Sequence, residues 1–505
     1  MREWDAERVA RAAGARLIAR PSPRAGRSST ADEQGPLRAA IDSRAVARGD
    51  LFVGLRGERH DGGEYAVQAL AAGAWGVLVA DEHAELVLAA ALAGPGGAVL
   101  VHPDPLRGLQ ALALAWRREL RARGAKVVAI TGSTGKTSTK DILAAVLGAQ
   151  RRTVASSQNL NTEIGLPLSV LAAPADTEML VLEMAMRGAG QIAELTEIAE
   201  PDVGVIVNVG PVHLELLGSL EAIAAAKAEL IAGIASGATV VVPVDEPLLE
   251  PHRRADVRTI TFGAGGDVTL EQSARPGETE AGARESKTGA GGGVATGVGH
   301  ASNVGHASAG VTIRHETQRM TLRPSFAQRH NLSNLLAAVA AARALGVTPG
   351  GDLEVRFSAL RGERIALPGG ITLVNDCYNA NPMSMRAAID DLAETAPARR
   401  VAVLGDMLEL GSELGPALHR EVAEHANARG VEVLITVGPL AAAMADTFTG
   451  EAHSVPDAQA AGELLEGLLR EGDTVLVKGS RGVGLERVAQ VLQAEGAYAS
   501  PAGRR

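Results

Sequence analysis

Residues 126–147, K-V-V-A-I-T-G-S-T-G-K-T-S-T-K-D-I-L-A-A-V-L, carry the pattern from which the fold of this chain can be predicted. The β-branched, apolar run from Val127 to Ile130 predicts a strand that is buried on both faces, as in parallel sheets. Two glycines then allow a tight turn, and the apolar residues after Thr137 follow the spacing of an amphipathic helix. Strand, glycine turn and helix in this order predict an α/β fold.

The glycine turn is a candidate phosphate-binding loop. Its backbone N–H groups and the helix N-terminus can hold an anion, Lys136 adds positive charge, and the Thr137 hydroxyl can ligate Mg²⁺. The loop is shorter than the usual pattern, because Ile130 stands where that pattern has its first glycine. The Lys-Thr placement favours a nucleotide site over a glycine turn that binds nothing. We assign to this site Gly132, Ser133, Thr134, Gly135, Lys136, Thr137 and Ser138.

The composition is that of a globular protein, and the 505 residues suggest about three domains. A net charge of −10 and an aromatic content of 2% argue against nucleic acid and anionic lipid as partners. The single cysteine, Cys377, excludes an internal disulfide and fits a reducing compartment. We interpret it as a small apolar filler and not as a nucleophile.

The sequence gives no sign of membrane insertion. Residues 1–20 are charged throughout and contain no apolar core of a signal peptide. The longest uncharged run, residues 86–101, is interrupted by Gly and Pro and is too short to span a bilayer. We therefore expect a cytoplasmic protein.

Alternating strand and helix patterns divide the chain into three α/β units, residues 1–103, 104–347 and 348–505. The central unit is expected to hold a P-loop-type parallel sheet, the first a small α/β fold and the third a Rossmann-like fold. Ligands of parallel sheets bind beyond the carboxyl ends of the strands. Glu183 and His213 both follow predicted strands and should lie at the same edge as Lys136. The Gly-rich residues from about 263 to 310 predict a flexible insertion.

A series of motifs spread over nearly the whole chain resembles the Mur ligases. The motifs, in chain order, are D-S-R…G-D-L-F-V-G-L-R-G-E-R-H-D-G, T-G-S-T-G-K-T-S, N-L-N-T-E-I-G-L-P-L, E-M-A-M-R-G, N-V-G-P-V-H-L-E, H-N-L-S-N, N-D-C-Y-N-A-N-P, L-G-D-M-L-E-L-G and V-K-G-S-R. Such an ordered set is far more specific than any single motif. Ala185 and Gln191 depart from the family pattern, which more commonly has Gly and Glu there.

The resemblance implies ATP-dependent amide formation through an acyl phosphate. E-M-A-M-R-G and D-C-Y-N-A-N-P are similar to the members that join D-alanyl-D-alanine to UDP-N-acetylmuramoyl-tripeptide, so these two molecules are the expected substrates. ATP and two Mg²⁺ ions are the expected cofactors, and a monomer is the expected state. Phosphoryl transfer between two anions depends on positive charge and positioning more than on covalent help from the protein.

The resemblance also implies roles for individual residues. Thr137, Glu183 and His213 would ligate Mg²⁺, Lys136 would neutralise phosphate charge, and Asn331, Arg364 and Asp376 would engage the nucleotide. The residues expected to bind the substrates are Asp42, Ser43, Arg44, Asn161, Thr162, Glu163, Arg187, Tyr378, Asn379, Asn381, Lys478, Ser480 and Arg481. From the residues alone, the polar group around Asp42 fits turn chemistry equally well.

Lys227 lies in an Ala-rich, apolar helix, and two interpretations of it stay open. It can be a lysine that extends from the edge of a core helix to water. Its place after His213 matches the lysine that the family carbamylates, which would make it a fourth catalytic and metal-ligating residue. A related ligase, such as a folylpolyglutamate-synthase-like enzyme, and a nucleotide-binding module without catalysis are the alternatives for the whole chain. Lys136, Thr137, Glu183 and His213 together argue against the second.

Overall fold

The N-terminal domain is a five-stranded sheet covered by short helices. The computed structural model describes residues 1, 3–20, 35–94, 96–157, 159–273 and 310–494. The elements of this domain are α1 (Ala6–Ala12), β1 (Arg16–Ala19), β2 (Ala39–Ala40), β3 (Leu51–Val53), α2 (Ala66–Ala71), β4 (Gly76–Val79), α3 (Ala84–Ala93) and β5 (Ala98–Val101). The strand order is β1-β5-β4-β3-β2, and only the β1–β5 pairing is antiparallel.

The central domain begins with a helix that also completes the N-terminal core. Its first elements are α4 (Pro105–Ala122), β6 (Lys126–Thr131), α5 (Lys136–Gly148), β7 (Thr153–Ala155), α6 (Gly165–Ala172), β8 (Met179–Glu183), α7 (Gln191–Ala199), β9 (Val203–Ile206), α8 (Leu214–Leu217), α9 (Leu220–Gly233) and β10 (Thr239–Pro243). Asp104 caps α4 by accepting from the N–H of Leu106 at 3.0 Å. On α4 the buried Trp116 packs edge-on against Trp4, with ring centroids 5.4 Å apart. The two domains therefore share one apolar core.

The central sheet continues beyond the nucleotide-binding part. The further elements are β11 (Arg258–Phe262), β12 (Val268–Ser273), β13 (Val311–His315), β14 (Gln318–Pro324), α10 (Arg329–Ala344) and β15 (Gly351–Leu353). The ten strands have the order β15-β14-β13-β12-β11-β10-β9-β6-β8-β7. The pairings from β7 to β12 are parallel, whereas β13 is antiparallel to both of its neighbours. The predicted α/β class is confirmed, and the antiparallel extension is an addition to the predicted parallel sheet.

Two predicted boundaries differ from the structure. Strand β12 occupies part of the segment predicted as an insertion, and residues 274–309 of that segment lie outside the described residues. Strand β15 pairs with β14 and belongs to the central sheet, although the predicted boundary at residue 347 assigned it to the third unit. Three-residue strands such as β15 carry too little periodicity to be assigned from sequence.

The C-terminal domain is a second, mostly parallel sheet. Its elements are β16 (Glu363–Leu367), β17 (Ile371–Asn375), α11 (Pro382–Thr395), β18 (Arg400–Gly405), α12 (Gly415–Ala428), β19 (Val433–Val437), β20 (Glu451–Val455), α13 (Ala458–Leu468), β21 (Thr474–Lys478) and α14 (Glu486–Ala494). The order is β16-β17-β21-β18-β19-β20, with β16 alone antiparallel. In the described ranges, every helix is too short or too polar to cross a lipid bilayer.

Candidate active site

The phosphate-binding loop joins β6 to α5, as the sequence predicts. Gly132 has φ 151° and Gly135 has φ 79°, and both values lie where a side chain is strained. A Cβ on Gly135 would also lie 2.6 Å from Asn334 Oδ1 at the start of α10. The loop therefore requires glycine at both positions, and it presents its backbone beside the second turn of α10.

Asn208 holds the loop in shape, and the sequence analysis did not assign it to the site. Its Oδ1 accepts from the N–H groups of Ser133 at 3.1 Å and Thr134 at 3.0 Å, and its Nδ2 donates to Thr134 O at 3.1 Å. Ser133 Oγ donates to Gly210 O at 3.0 Å and accepts from Gly210 N at 2.8 Å. The signal for Asn208 was its position directly after Val207, at the carboxyl end of β9.

Lys136 and Thr137 lie at the start of α5. The Lys136 ammonium donates to the carbonyls of Gly132 at 2.8 Å and Ser133 at 3.4 Å. Burial lowers the pKa of Lys136, and the positive charge of Arg361 lowers it further against the opposing effect of Glu183. Thr137 is buried, and its Oγ1 accepts from Arg361 Nη2 at 3.1 Å. Arg361 belongs to residues 354–362 between β15 and β16, which we name the C-terminal linker. A residue of this linker thus reaches the phosphate-binding loop.

Glu183 ends β8 and pairs with Ile130 of β6, which places its carboxylate one strand away from the loop. The residue is 3% exposed. Oε1 accepts from Asn161 Nδ2 at 2.9 Å, and Oε2 is buried without a hydrogen-bond partner among the described residues. A buried carboxylate oxygen without a partner is costly unless a cation or donor satisfies it. The structure thus brings together Glu183, predicted to ligate Mg²⁺, and Asn161, predicted to bind the substrate.

His213 follows β9 and adopts φ 56°, a left-handed conformation that is uncommon for a residue other than glycine. Its Nδ1 lies 2.5 Å from Glu409 Oε2 of the C-terminal domain. The hydrogen bond to His213 lowers the pKa of Glu409. The C-terminal domain also meets this loop at Gly210, where a Cβ would clash with Met383 Sδ.

Lys227 is buried in α9, with 1% of its surface exposed. Burial lowers its pKa well below the ordinary lysine value, and the positive charge of Lys136 lowers it further. The interpretation of Lys227 as a lysine that reaches water is therefore wrong, because its side chain stays inside the protein.

Cationic and aromatic side chains lie on the C-terminal side of the space between the central and C-terminal domains, which we name the cleft. Lys478 is 2% exposed and donates from Nζ to Asp376 Oδ2 at 2.6 Å and to Asn379 O at 3.0 Å. The guanidinium of Arg361 stacks 4.1 Å from the ring centroid of Tyr378, and that of Arg481 lies 6.0 Å from it. Tyr378 and Asn379 follow β17, and Lys478 is the last residue of β21, its neighbour in the sheet. Arg361 instead precedes β16.

Three residues predicted to contact ligands bind neighbouring protein groups in this structure. Arg364 Nη2 donates to Asp391 Oδ2 at 2.8 Å and to Thr395 Oγ1 at 2.8 Å. Asn381 caps α11 through its bond from Ser384 N at 2.9 Å. Ser480 is buried and accepts from Leu408 N at 3.0 Å, so it supports the loop that carries Glu409 rather than lining a surface.

The other predicted residues lie at separate positions. Asp42, Ser43 and Arg44 form an exposed turn after β2, where a bidentate Arg44–Asp42 pair lowers the pKa of Asp42 to about 2. No described contact links this turn to the phosphate-binding loop. Asn331 is buried, and its Oδ1 accepts from Asn334 Nδ2 at 3.2 Å. Asn334 is the residue that lies beside Gly135. The remaining four are Ser138 and Glu163, which are half-buried, and Thr162 and Arg187, which are exposed.

Cys377 is buried between β17 and the cleft. Its Sγ lies 2.9 Å from Asn375 Oδ1, and burial raises the pKa of its thiol to about 12. A thiol with such a pKa is not a nucleophile at neutral pH. The interpretation of Cys377 as a filler is consistent with this environment.

The fold and the cleft define an ATP-dependent ligase with three α/β domains. Its residues 130–342 match the Mur ligase middle domain, residues 360–481 the Mur ligase glutamate ligase domain, and residues 39–103 the catalytic domain of the Mur ligase family. The chain belongs to the Mur ligase family.

Similar proteins cover almost the whole chain. The UDP-N-acetylmuramoyl-tripeptide–D-alanyl-D-alanine ligase of Bacillus subtilis is 34% identical over 90% of this chain and 92% of its own length. The enzyme of that name from Escherichia coli is 31% identical over 90% and 93%. Among solved structures, MurF from Acinetobacter baumannii has a TM-score of 0.77 at 26% identity, covering 97% of this chain and 99% of its own. MurF ligase from Thermotoga maritima in complex with ADP has a TM-score of 0.72 at 29% identity, covering 91% and 97%.

Proposed function

We propose that this protein joins D-alanyl-D-alanine to UDP-N-acetylmuramoyl-tripeptide with ATP, in the cytoplasmic synthesis of peptidoglycan precursors. The relatives that carry this activity in their names match 90% of the chain at 31–35% identity. The observation that carries the proposal is the cleft itself. There Arg361 contacts both Thr137 of the phosphate-binding loop and Tyr378 of the C-terminal domain. Glu183, whose Oε2 has no hydrogen-bond partner among the described residues, ends the strand beside β6.

The donor set of the central domain fits Mg²⁺. Glu183 Oε2 is a buried anionic oxygen that lacks a partner within the described residues, and Thr137 offers a hydroxyl at the start of α5, the helix that follows the neighbouring strand β6. Hard oxygen ligands of this kind are those that Mg²⁺ prefers. We assign Thr137 and Glu183 to one ion and His213 to a second. When bound, these ions neutralise phosphate charge and orient the transferred group.

In the first half of the reaction, the terminal carboxylate of the tripeptide attacks the γ-phosphorus and ADP leaves. Lys136, at the N-terminus of α5, supplies positive charge to the phosphates. Its bonds to the carbonyls of Gly132 and Ser133 keep the ammonium within the loop. Arg361 brings a second positive charge from the C-terminal linker to Thr137, the next residue of the loop.

In the second half, the amine of D-alanyl-D-alanine attacks the acyl carbon, loses a proton and displaces inorganic phosphate. Tyr378 and Asn379 lie on the C-terminal side of the cleft, where Lys478 holds their loop. We assign this side to the incoming dipeptide. Asn161, Thr162, Glu163 and Arg187 are assigned to the muramoyl peptide, and Asp42, Ser43 and Arg44 to the uridine nucleotide.

Lys227 is proposed to carry a carbamate. Carbamylation requires a neutral amine, and burial beside Lys136 favours that form of Lys227. Reaction of the amine with CO₂ forms one N–C bond, releases one proton and turns the side chain into an anion. An anion at this buried position would be paired with the charge of Lys136.

Phosphate release tests the proposed function. The assay crosses UDP-N-acetylmuramoyl-tripeptides that end in diaminopimelate or in lysine with D-alanyl-D-alanine, D-alanine, L-lysine and glutamate. We expect release only when a tripeptide and D-alanyl-D-alanine are both present. Release with a different amino donor would show a related ligase with another substrate, and the absence of release with every pair would contradict the ligase activity.

A further inference from the structure

We infer that Glu409 is a positioning residue, which sets the orientation of His213 when the C-terminal domain meets the central domain. The inference rests on the proposed metal site. Glu409 lies on the loop after β18, whereas His213 lies after β9 of another sheet. Their side chains meet through Glu409 Oε2 and His213 Nδ1.

The direction of the contact determines which histidine nitrogen can face a ligand. An imidazole whose Nδ1–H donates to a carboxylate keeps the lone pair of Nε2 available. Carboxylates in this outer position orient histidine ligands and increase their basicity in many metal sites. Glu409 therefore selects Nε2 of His213 as the ligand atom, and it does so from the domain that does not carry the phosphate-binding loop.

The loop that carries Glu409 is held rigidly. The three backbone N–H groups before Glu409 all donate hydrogen bonds. Asp406 N donates to Val437 O at 3.2 Å. Met407 N donates to His419 Nε2 and Leu408 N to Ser480 Oγ, both at 3.0 Å. His419 is itself fully buried, with Nδ1 2.7 Å from Gly415 O. Such support is what precise placement of a side chain requires.

Both members of the pair occupy strained backbone conformations. Glu409 has φ 64° and His213 has φ 56°, and neither is a glycine. The backbone N–H of Glu215, in α8 directly after His213, donates to Glu409 O at 3.4 Å. The two segments therefore also meet through their backbones. Non-glycine residues keep such conformations only where surrounding structure enforces them, and they cluster at functional sites.

The pair is too exposed for its purpose to be stability. The side chains of His213 and Glu409 are 21% and 41% exposed, and ion pairs in such positions contribute little to folding. A positioning role instead explains why three features occur together at His213: a well-supported loop, two residues with positive φ and a contact between domains.

Binding of Mn²⁺ tests the inference without a measurement of turnover. Electron paramagnetic resonance follows Mn²⁺ binding in the presence of a nonhydrolysable ATP analogue for wild type, Glu409→Ala, Glu409→Gln, His213→Ala and the double variant His213→Ala/Glu409→Ala. We expect Glu409→Ala to weaken the part of Mn²⁺ binding that depends on His213 by about tenfold or more, the typical effect of removing a residue that orients a metal ligand. Glu409→Gln should weaken it less, because its amide oxygen still accepts a hydrogen bond. Glu413→Ala, at an exposed position of the same segment, is the matched control and should bind as wild type.

The double variant separates positioning from a general effect. If Glu409 acts through His213, its removal changes nothing further in the His213→Ala background. Wild-type binding by Glu409→Ala, or additive losses in the double variant, would overturn the inference. If His213→Ala itself binds Mn²⁺ as wild type does, the proposed metal site fails instead. Glu409→Gln preserves size and polarity, so it replaces the alanine variant if that variant does not fold. Wild-type Mn²⁺ binding by Glu409→Gln would then overturn the inference.

Discussion

Arg361 Nη2 of the C-terminal linker donates to Thr137 Oγ1 of the phosphate-binding loop at 3.1 Å. The guanidinium is simultaneously stacked on Tyr378, 4.1 Å from the ring centroid. One side chain thus joins the proposed nucleotide side of the cleft to the proposed acceptor side. Ser358, three residues earlier in the same linker, donates from its backbone N–H to Asp141 Oδ2 of α5 at 2.8 Å, so the linker is anchored beside this contact.

Replacement of Arg361 should reduce turnover more than nucleotide affinity. We expect Arg361→Ala to lower kcat about 10²-fold, the effect of removing one donor that stabilises developing charge. Arg361→Lys should recover only part of this loss, since lysine keeps the charge but not the planar stacking on Tyr378. Steady-state phosphate release and equilibrium ADP binding measure the two effects. Arg356→Ala removes an exposed arginine of the same linker and serves as the control; equal kcat for both alanine variants would exclude a role for Arg361.

Glu183→Gln should separate stability from activity. The glutamine can still accept the hydrogen bond from Asn161, and it removes a buried charge whose second oxygen has no partner among the described residues. We expect a metal-free melting temperature at or above that of wild type, together with a loss of phosphate release of at least about 10²-fold. Differential scanning calorimetry in EDTA and the release assay provide the two measurements. A clear fall in the metal-free melting temperature would mean that the carboxylate is primarily structural.

The buried His419 should make the protein less stable in mild acid. Burial lowers its pKa below the ordinary 6.5. Between the lowered value and 6.5, the unfolded chain binds more protons than the folded protein, so the free energy of unfolding falls as the pH decreases through this window. Above 6.5 both states are neutral at this site and its contribution is constant.

Denaturant unfolding at several pH values measures this effect. His419→Gln should reduce the slope of stability against pH below 6.5, and it should cost about 1–3 kcal/mol at neutral pH because the bonds to Met407 N and Gly415 O are disturbed. His453→Gln, on the edge strand β20, controls for the loss of one titrating group. An unchanged slope in His419→Gln would show that the acid sensitivity arises elsewhere.

Lys227 should bind CO₂ reversibly. Protein equilibrated with ¹³C-bicarbonate is expected to give one carbamate ¹³C resonance that is absent from Lys227→Met. The resonance should be lost on acidification, because a protonated amine cannot react with CO₂ and the carbamate then dissociates. Lys126→Met, which removes an exposed lysine at the start of β6, should retain the signal. A wild-type spectrum without the resonance in the presence of nucleotide and metal would contradict the proposal.

Much of the fold followed from local pattern. The run predicted as a strand, Val127 to Ile130, agrees to within one residue at each end with β6, because buried parallel strands are continuous apolar runs between turns. The extension from β11 to β15 was not predicted. Two of its pairings join segments that are distant in sequence: β12 pairs with β13 across residues 274–310, and β14 pairs with β15 across α10.

The amino-acid pattern is enough to predict that a glycine loop, Glu183 and His213 lie at one edge of the central sheet, since the carboxyl ends of parallel strands meet there. It did not determine which side chains would face that edge from elsewhere. Neither the strand pattern nor the motifs show what Asn208, Arg361 and Glu409 contact, because each acts through a partner in another segment of the chain. Only the tertiary structure decides such contacts, because they depend on how whole domains pack and not on the residues that neighbour them in sequence.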